Sequence, residues 1–177
     1  DCTIEKYYLS EKNGFELKED FIERIAPQMD IVFLCNPNNP TGLLVEKAML
    51  EKILARCEAC GTLLVLDECF NDFLEFPDVY SMKDHVLRTK NLFILKAFTK
   101  MYAMAGLRLG YGFCNDEELL EMMTLIRQPW SVSIPAQMAG VAAAKEVNFA
   151  KESARMIQEE KQKLLGEMQS KGYLVLE

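Results

Sequence analysis

Short apolar runs and helical spacings alternate along the chain. Ile31-Val-Phe-Leu-Cys35 reads as a buried strand, and the Asn-Pro-Asn-Asn-Pro-Thr-Gly stretch over 36–42 is loop chemistry. Residues 46–59 then carry Leu50, Ile53, Leu54 and Cys57 at the i, i+3, i+4, i+7 spacing of a helix face, and Gly61 supplies a stop. Residues 62–67, 91–96 and 109–114 read as further strands, the first of these ending in Asp67. Asp116 is an expected N-cap, with Glu117 and Glu118 favouring the positive end of a helix running to about residue 126. Pro135 suits the first turn of another helix, and a long one is expected over 149–171, stopped by Gly172. The opening segment alternates like a strand (Ile4, Tyr7, Leu9), a helix is expected over 17–25, and 173–176 reads as a last short strand.

Near-continuous apolar strands between amphipathic helices predict an α/β fold. The expected architecture is three-layer α/β/α, with a mostly parallel sheet covered on both faces. The 177 residues suit one core, with a boundary expected near 148: residues 1–148 form the main unit, and 149–177 a long helix beginning a smaller one. In parallel sheets ligands gather where strands end. Three loops here qualify, after Cys35, after Leu66 and after Phe98.

Composition narrows the chemistry. A net charge of −7 disfavours a nucleic-acid surface, and any bound phosphate must be held by a few placed donors. No apolar run reaches membrane-spanning length, and the first residues lack a signal-peptide layout. The six cysteines read as reduced thiols of a cytoplasmic protein. Cys57 and Cys60 form a C-x-x-C at a helix C-terminus, the wrong end for a reactive thiolate, so they read as structural. The lone His85 lies in a polar stretch and reads as a surface residue; no metal site is expected.

No G-x-G-x-x-G opens a helix and no G-x-x-x-x-G-K-[ST] is present, which disfavours a nicotinamide dehydrogenase or a nucleotide-binding module. What remains are Asn39, Asp67, Lys100 and Arg108, all at expected strand ends. Singly, each has an ordinary reading as a turn former, a cap or a solvated loop cation. A carboxylate closing an apolar strand is costly without a partner, which sets Asp67 apart.

Together, the Asn36–Gly42 loop, Asp67-Glu-Cys-Phe70, Phe98-Thr-Lys100 and Ala105-Gly-Leu-Arg108-Leu-Gly-Tyr111 resemble the class I/II aminotransferases, the fold-type I pyridoxal-phosphate (PLP) enzymes. The resemblance covers nearly the whole chain, in order and spacing. It implies that Lys100 forms the Schiff base with the cofactor aldehyde and later moves protons. Asp67 would pair with the pyridine nitrogen, Asn39 would donate to the ring oxygen, and Thr99 and Arg108 would hold the phosphate. These types suit the chemistry: a carboxylate favours a protonated ring nitrogen, and a guanidinium fork suits phosphate. It also implies a homodimer. Two positions depart from the usual pattern. Ala97 stands where a phosphate-binding Ser is common, and Phe70 where a Tyr commonly donates to the ring oxygen.

Within the family the chain resembles histidinol-phosphate aminotransferases and the threonine-phosphate decarboxylases of cobalamin synthesis. Phe70 and the segment Arg127-Gln-Pro-Trp-Ser-Val-Ser133 incline the reading to L-threonine-O-3-phosphate decarboxylase, with the aminotransferase as the alternative. Either substrate is a small phosphorylated amino acid or amine. A third reading is a non-catalytic domain of the same fold kept for binding or assembly. Segments that relatives carry before and after this stretch are expected to be missing, so the sequence reads as a fragment of the large domain. The 177 residues alone are expected to bind PLP weakly and turn over no substrate; robust transamination or decarboxylation by them would refute this.

Overall fold

In the computed structural model, which describes residues 2–176, the strands anticipated in the middle of the chain form one sheet. Among the described residues it has four strands: β1 (Ile31–Cys35), β2 (Leu63–Asp67), β3 (Leu92–Ala97) and β4 (Gly110–Cys114), in the order β1-β2-β3-β4. The first three run parallel and β4 closes one edge antiparallel. The helices are α1 (Asp20–Arg24), α2 (Lys47–Cys60), α3 (Pro77–Tyr80), α4 (Phe98–Met101), α5 (Glu117–Ile126), α6 (Ile134–Ala143) and α7 (Val147–Ser170). The α/β class with a mostly parallel sheet is therefore the one expected from the sequence.

Local chemistry accounts for the helix ends. Gly61 takes a left-handed backbone (φ 70°) after α2, and the Thr62 N–H reaches the Cys57 carbonyl at 2.9 Å, closing the helix C-terminus. Asp116 caps α5 by accepting from the Leu119 N–H at 3.3 Å. Ser133 does the same for α6 with Ala136, so Pro135 falls inside the first turn.

The core lies between α2 and one sheet face. Leu50, Ile53, Leu54 and Cys57 of α2 meet Val32, Leu64, Leu66, Leu92 and Ile94, with Ile25, Met82 and Val86 closing the ends. Each fully buried aliphatic there contributes about 1.5–3 kcal/mol. On the opposite face Val65 and Phe93 are buried while Phe33 is 72% exposed, so that layer covers the middle strands and leaves β1 open. The expectation of cover on both faces holds only in part.

Three other expectations are corrected. Neither 4–9 nor 173–176 forms a strand, and Ile4, Tyr8 and Leu174 are exposed. Apolar alternation does not suffice where no neighbouring strand takes up the backbone N–H and C=O groups. The helix over 17–25 shrinks to the five residues of α1. His85 is half-buried where a surface residue was expected: its Nε2 lies 3.2 Å from Glu51 Oε1, and its Nδ1 is buried without a hydrogen-bond partner among the described residues. The 3-10 turn over Lys83–Arg88 buries Val86 beside it and leaves Lys83, Asp84, Leu87 and Arg88 exposed. Cys57 is buried, which pushes its thiol up to about 11, and the Cys60 thiol donates to the Ile25 carbonyl at 3.6 Å. Among the described residues no helix is long and apolar enough to cross a membrane.

Gly112 of β4 marks the tightest approach in the sheet. A Cβ there would lie 2.3 Å from a ring carbon of buried Phe93 and 3.2 Å from the Ile94 carbonyl oxygen. Gly112→Ala is expected to destabilise the fold by about 1–3 kcal/mol, measured by urea denaturation. An unchanged midpoint would show that the Phe93 ring moves aside freely.

Candidate functional site

β1 and β2 end at one level and β3 runs two residues further, and three backbone hydrogen bonds carry the ladder into the loops. Asn36 N–H donates to the Asp67 carbonyl (3.0 Å), Glu68 N–H to Leu95 (3.0 Å) and Phe98 N–H to Leu109 (3.2 Å). Asp67 is the last residue of β2, and Asn39, Thr99, Lys100 and Arg108 lie in the loops and the short helix at this end.

The first loop is braced by its other asparagines. Buried Asn36 accepts from the Val45 N–H at 2.8 Å and donates back to the Val45 carbonyl at 3.3 Å. Asn38 donates to Thr41 Oγ1 at 2.7 Å and accepts through its carbonyl from Gly42 (φ 75°). The Asn36–Pro37 and Asn39–Pro40 bonds are cis. Asn39 is exposed, and its side chain makes no hydrogen bond among the described residues; its N–H reaches the Cys35 thiol.

Asp67 pairs in register with Cys35 and Leu95. It is half-buried, and Oδ1 accepts from the Cys69 N–H at 2.9 Å. The Cys69 thiol also donates to this carboxylate; burial first, then Asp67, pushes it up to about 12. Asp67 makes no ion pair among the described residues, which leaves a half-buried carboxylate able to take a cation.

Lys100 projects from α4 with Nζ 5.6 Å from the centroid of the Phe70 ring, a cation–π distance. Thr99 beside it is half-buried. The pairing Ala97↔Gly110 and the Phe98–Leu109 bond return the chain so that Arg108 lies next to α4. Arg108 has a left-handed backbone (φ 55°), and its guanidinium donates to its own loop at Ala105 (3.2 Å). Neither cation makes an ion pair among the described residues. The structure thus gathers one carboxylate, one amine, one guanidinium, a hydroxyl and an amide at one strand end.

Several neighbours of this site were not anticipated. Phe70, read from the sequence as a lost hydrogen bond, is the surface against which Lys100 lies. α7 reaches the same region: Gln158 Nε2 donates to the Phe73 carbonyl at 2.7 Å, and Phe149 stacks on Tyr102 at 5.9 Å. A cleft of about 920 Å³ opens between α7 and Asp72, Tyr102 and Tyr111. Beneath Phe70, Glu68 is fully buried and accepts from Ser81 Oγ (2.8 Å) and the Met82 N–H (2.8 Å). Lys96 Nζ lies 2.7 Å from Asp72 and 3.8 Å from Glu68. An acid directly after Asp67 and a lysine inside an apolar run were the available signals.

A family model described as aminotransferase class I and II matches residues 1–177. The chain is 36% identical over 161 residues to the threonine-phosphate decarboxylase of Salmonella typhimurium, covering 90% of this chain and 43% of that protein. The solved histidinol-phosphate aminotransferase from Clostridium acetobutylicum superposes with a TM-score of 0.80 at 32% identity, over 86% of this chain and 45% of the other. The Sinorhizobium meliloti histidinol-phosphate aminotransferase, solved in complex with pyridoxal-5'-phosphate, gives 0.66 at 27% identity, over 76% and 36%. The chain spans less than half the length of these relatives.

Glu68 supplies a test of the turn under the site. Burial raises its carboxyl above the usual 4.5, against the lowering by the Met82 and Ser81 hydrogen bonds and by Lys96. The folded state therefore binds the proton more tightly than the unfolded chain. The stability from this group is complete below about 4.5 and is lost as pH rises through the folded value. Glu68→Gln removes that dependence. Its stability relative to the unmodified chain should climb as pH rises above about 4.5, measured by urea denaturation at several pH values; a flat or falling difference would contradict it.

Proposed function

The chain belongs to the aminotransferase class I and II family, and from that membership we propose that it carries the pyridoxal 5'-phosphate site of an enzyme acting on a small phosphorylated amino acid or amine. The observation that carries this reading is a charge pattern. Asp67, Lys100 and Arg108 share one end of the parallel strands, and none is paired with an opposite charge among the described residues. Each is a group that the cofactor requires, and each is left available.

The proposed duties follow from the residues' chemistry. When bound, the cofactor supplies an electron-withdrawing ring that weakens a bond at the substrate Cα. Asp67 would hold the proton on the ring nitrogen by charge pairing, with its own orientation fixed by the Cys69 N–H. Arg108 and Thr99 would donate to the phosphate, and Asn39 to the ring oxygen. Lys100 would bond the cofactor's aldehyde carbon through Nζ. The same amine, as general base and acid, would carry the proton at the substrate Cα. We assign this cofactor unit to residues 1–148, and residues 149–177 to a long helix and the start of a smaller unit.

The decarboxylase reading comes first. It is supported by the 36% identity to the Salmonella enzyme over most of this chain, and by Phe70 at the position where a Tyr hydroxyl is usual. The solved aminotransferases support the alternative, amino transfer from histidinol phosphate.

Borohydride added with pyridoxal phosphate is expected to fix the cofactor covalently on Lys100, read as one modified peptide by mass spectrometry. Lys100→Ala should abolish that modification, and an unchanged yield would end the reading. With threonine phosphate as substrate the full-length parent, not these 177 residues alone, is expected to release carbon dioxide. No release, alongside amino transfer from histidinol phosphate to a 2-oxo acid, would replace the decarboxylase by the aminotransferase.

A further inference from the structure

Lys100 and the ring it lies against both hang from elements too short to hold themselves. α4 has four residues, and the 3-10 turn after Phe70 has three, Asn71–Phe73. A single helical turn is not stable on its own in water, so neighbours must fix each of them. For α4 the neighbours are aromatic. The Phe98 ring centroid lies 5.3 Å from that of Tyr111 in β4 and 5.4 Å from that of Tyr102. Tyr102 in turn stacks on Phe149 of α7, at 5.9 Å and an interplanar angle of 16°. For the 3-10 turn the neighbour is Gln158 of α7. Its Nε2 donates at 2.7 Å to the Phe73 carbonyl, one of the acceptors that a helix end leaves open. The Phe73 ring packs on Phe70 at 6.1 Å. One helix therefore grips both of the elements that meet where Lys100 Nζ lies 5.6 Å from the Phe70 ring centroid.

We propose that α7 is a clasp on the site: Gln158 and Phe149 are positioning residues that hold the Phe70 turn and α4 against each other, and so fix where Lys100 Nζ rests. A lysine side chain left to itself samples many rotamers, and a reacting group gains from being held near its working geometry. Each residue acts through the element it grips, Gln158 through Phe73 and Phe70, Phe149 through Tyr102. The catalytic meaning of the clasp rests on the reading of Lys100 as the amine that bonds the cofactor. The placement of the side chain does not depend on that reading.

The test reads the resting place of Lys100 by NMR and needs no cofactor. In the chain carrying isotope-labelled lysine, the Lys100 ε-methylene signal is assigned by its loss in Lys100→Arg. The ring current of Phe70 displaces that signal, and Phe70→Leu defines its undisplaced position. Gln158→Met keeps the side-chain length and removes the donor. α7 buries no residue, so neither this change nor Phe149→Leu opens the core. Each is expected to move the Lys100 signal at least halfway to the Phe70→Leu position, with the amide signals of β2 and α2 unchanged; should one variant lose those core signals, the other decides. Gln158→Arg, which keeps a donor, should leave Lys100 where it is in the unmodified chain. A role confined to tethering α7 would disturb signals near Phe73 and Gln158 and leave Lys100 unmoved. An unmoved Lys100 signal in either folded variant would therefore overturn the proposal, and so would a Lys100 signal indifferent to Phe70→Leu. If the signal moves as stated but borohydride traps no pyridoxal phosphate on Lys100, the cofactor reading fails and the clasp stands. If trapping succeeds and the signal does not move, the clasp fails and the cofactor reading stands.

Discussion

The parallel register of β1, β2 and β3 is the constraint on which this end of the molecule depends. Backbone groups in a buried sheet must pair, so the ladder fixes where each strand stops. Cys35 sits opposite Asp67, and Asp67 opposite Leu95, so the first two loops leave at one level and the chain leaves β3 two residues further on, after Ala97. The same pairing decides which way the side chains point. Leu64 and Leu66 enter the core under α2, and Asp67, one residue on, falls on the other face. A slip of one residue would turn that carboxylate into the aliphatic cluster, at a cost of several kcal/mol without a partner.

Beyond the strand ends the charges separate into two groups. Lys96, Glu68 and Asp72 form a closed set under the Phe70 turn. A carboxylate as buried as Glu68 is tolerable there because two donors and a cation meet it. Among the described residues Asp67, Lys100 and Arg108 form an open set, each tied to its own loop or to a neutral ring and to no opposite charge. The backbone helps keep the second set open. Ala103 (φ 50°) and Arg108 (φ 55°) both take the left-handed conformation in the return from α4 to β4. For residues with a Cβ that costs of order 1–3 kcal/mol each, and such strain collects where function fixes the chain path.

The parts of this arrangement legible in the sequence are those with local causes. The apolar runs, the α2 face, the Asp116 cap and the Gly61 stop depend on residues within one or two turns of each other. Asp67, Lys100 and Arg108 could be singled out because charged residues at the ends of apolar runs are unusual. The segments over 4–9 and 173–176 misled because alternation records which face is apolar and says nothing about a pairing strand. His85 misled because its neighbours in sequence are polar while its neighbour in space is α2. Phe70 and Lys96 were opaque for the same reason. Each meets its partner across a sequence gap of more than twenty residues, so their duties exist only once β2 and β3 lie side by side.

At Asp67 the ordinary and the chemical readings are compatible. One oxygen caps the following turn, as a strand-end aspartate commonly does. That hydrogen bond fixes the orientation of the carboxylate and does not neutralise it. The thiols beside it add to the effect. Burial pushes Cys35 up, and Cys69 rises to about 12, so both remain uncharged donors or bystanders at neutral pH. Neither brings a second negative charge to compete for a cation, and neither brings a positive one to satisfy Asp67. A carboxylate held still, half-dry and unneutralised is the condition under which a cationic ring nitrogen is bound most strongly.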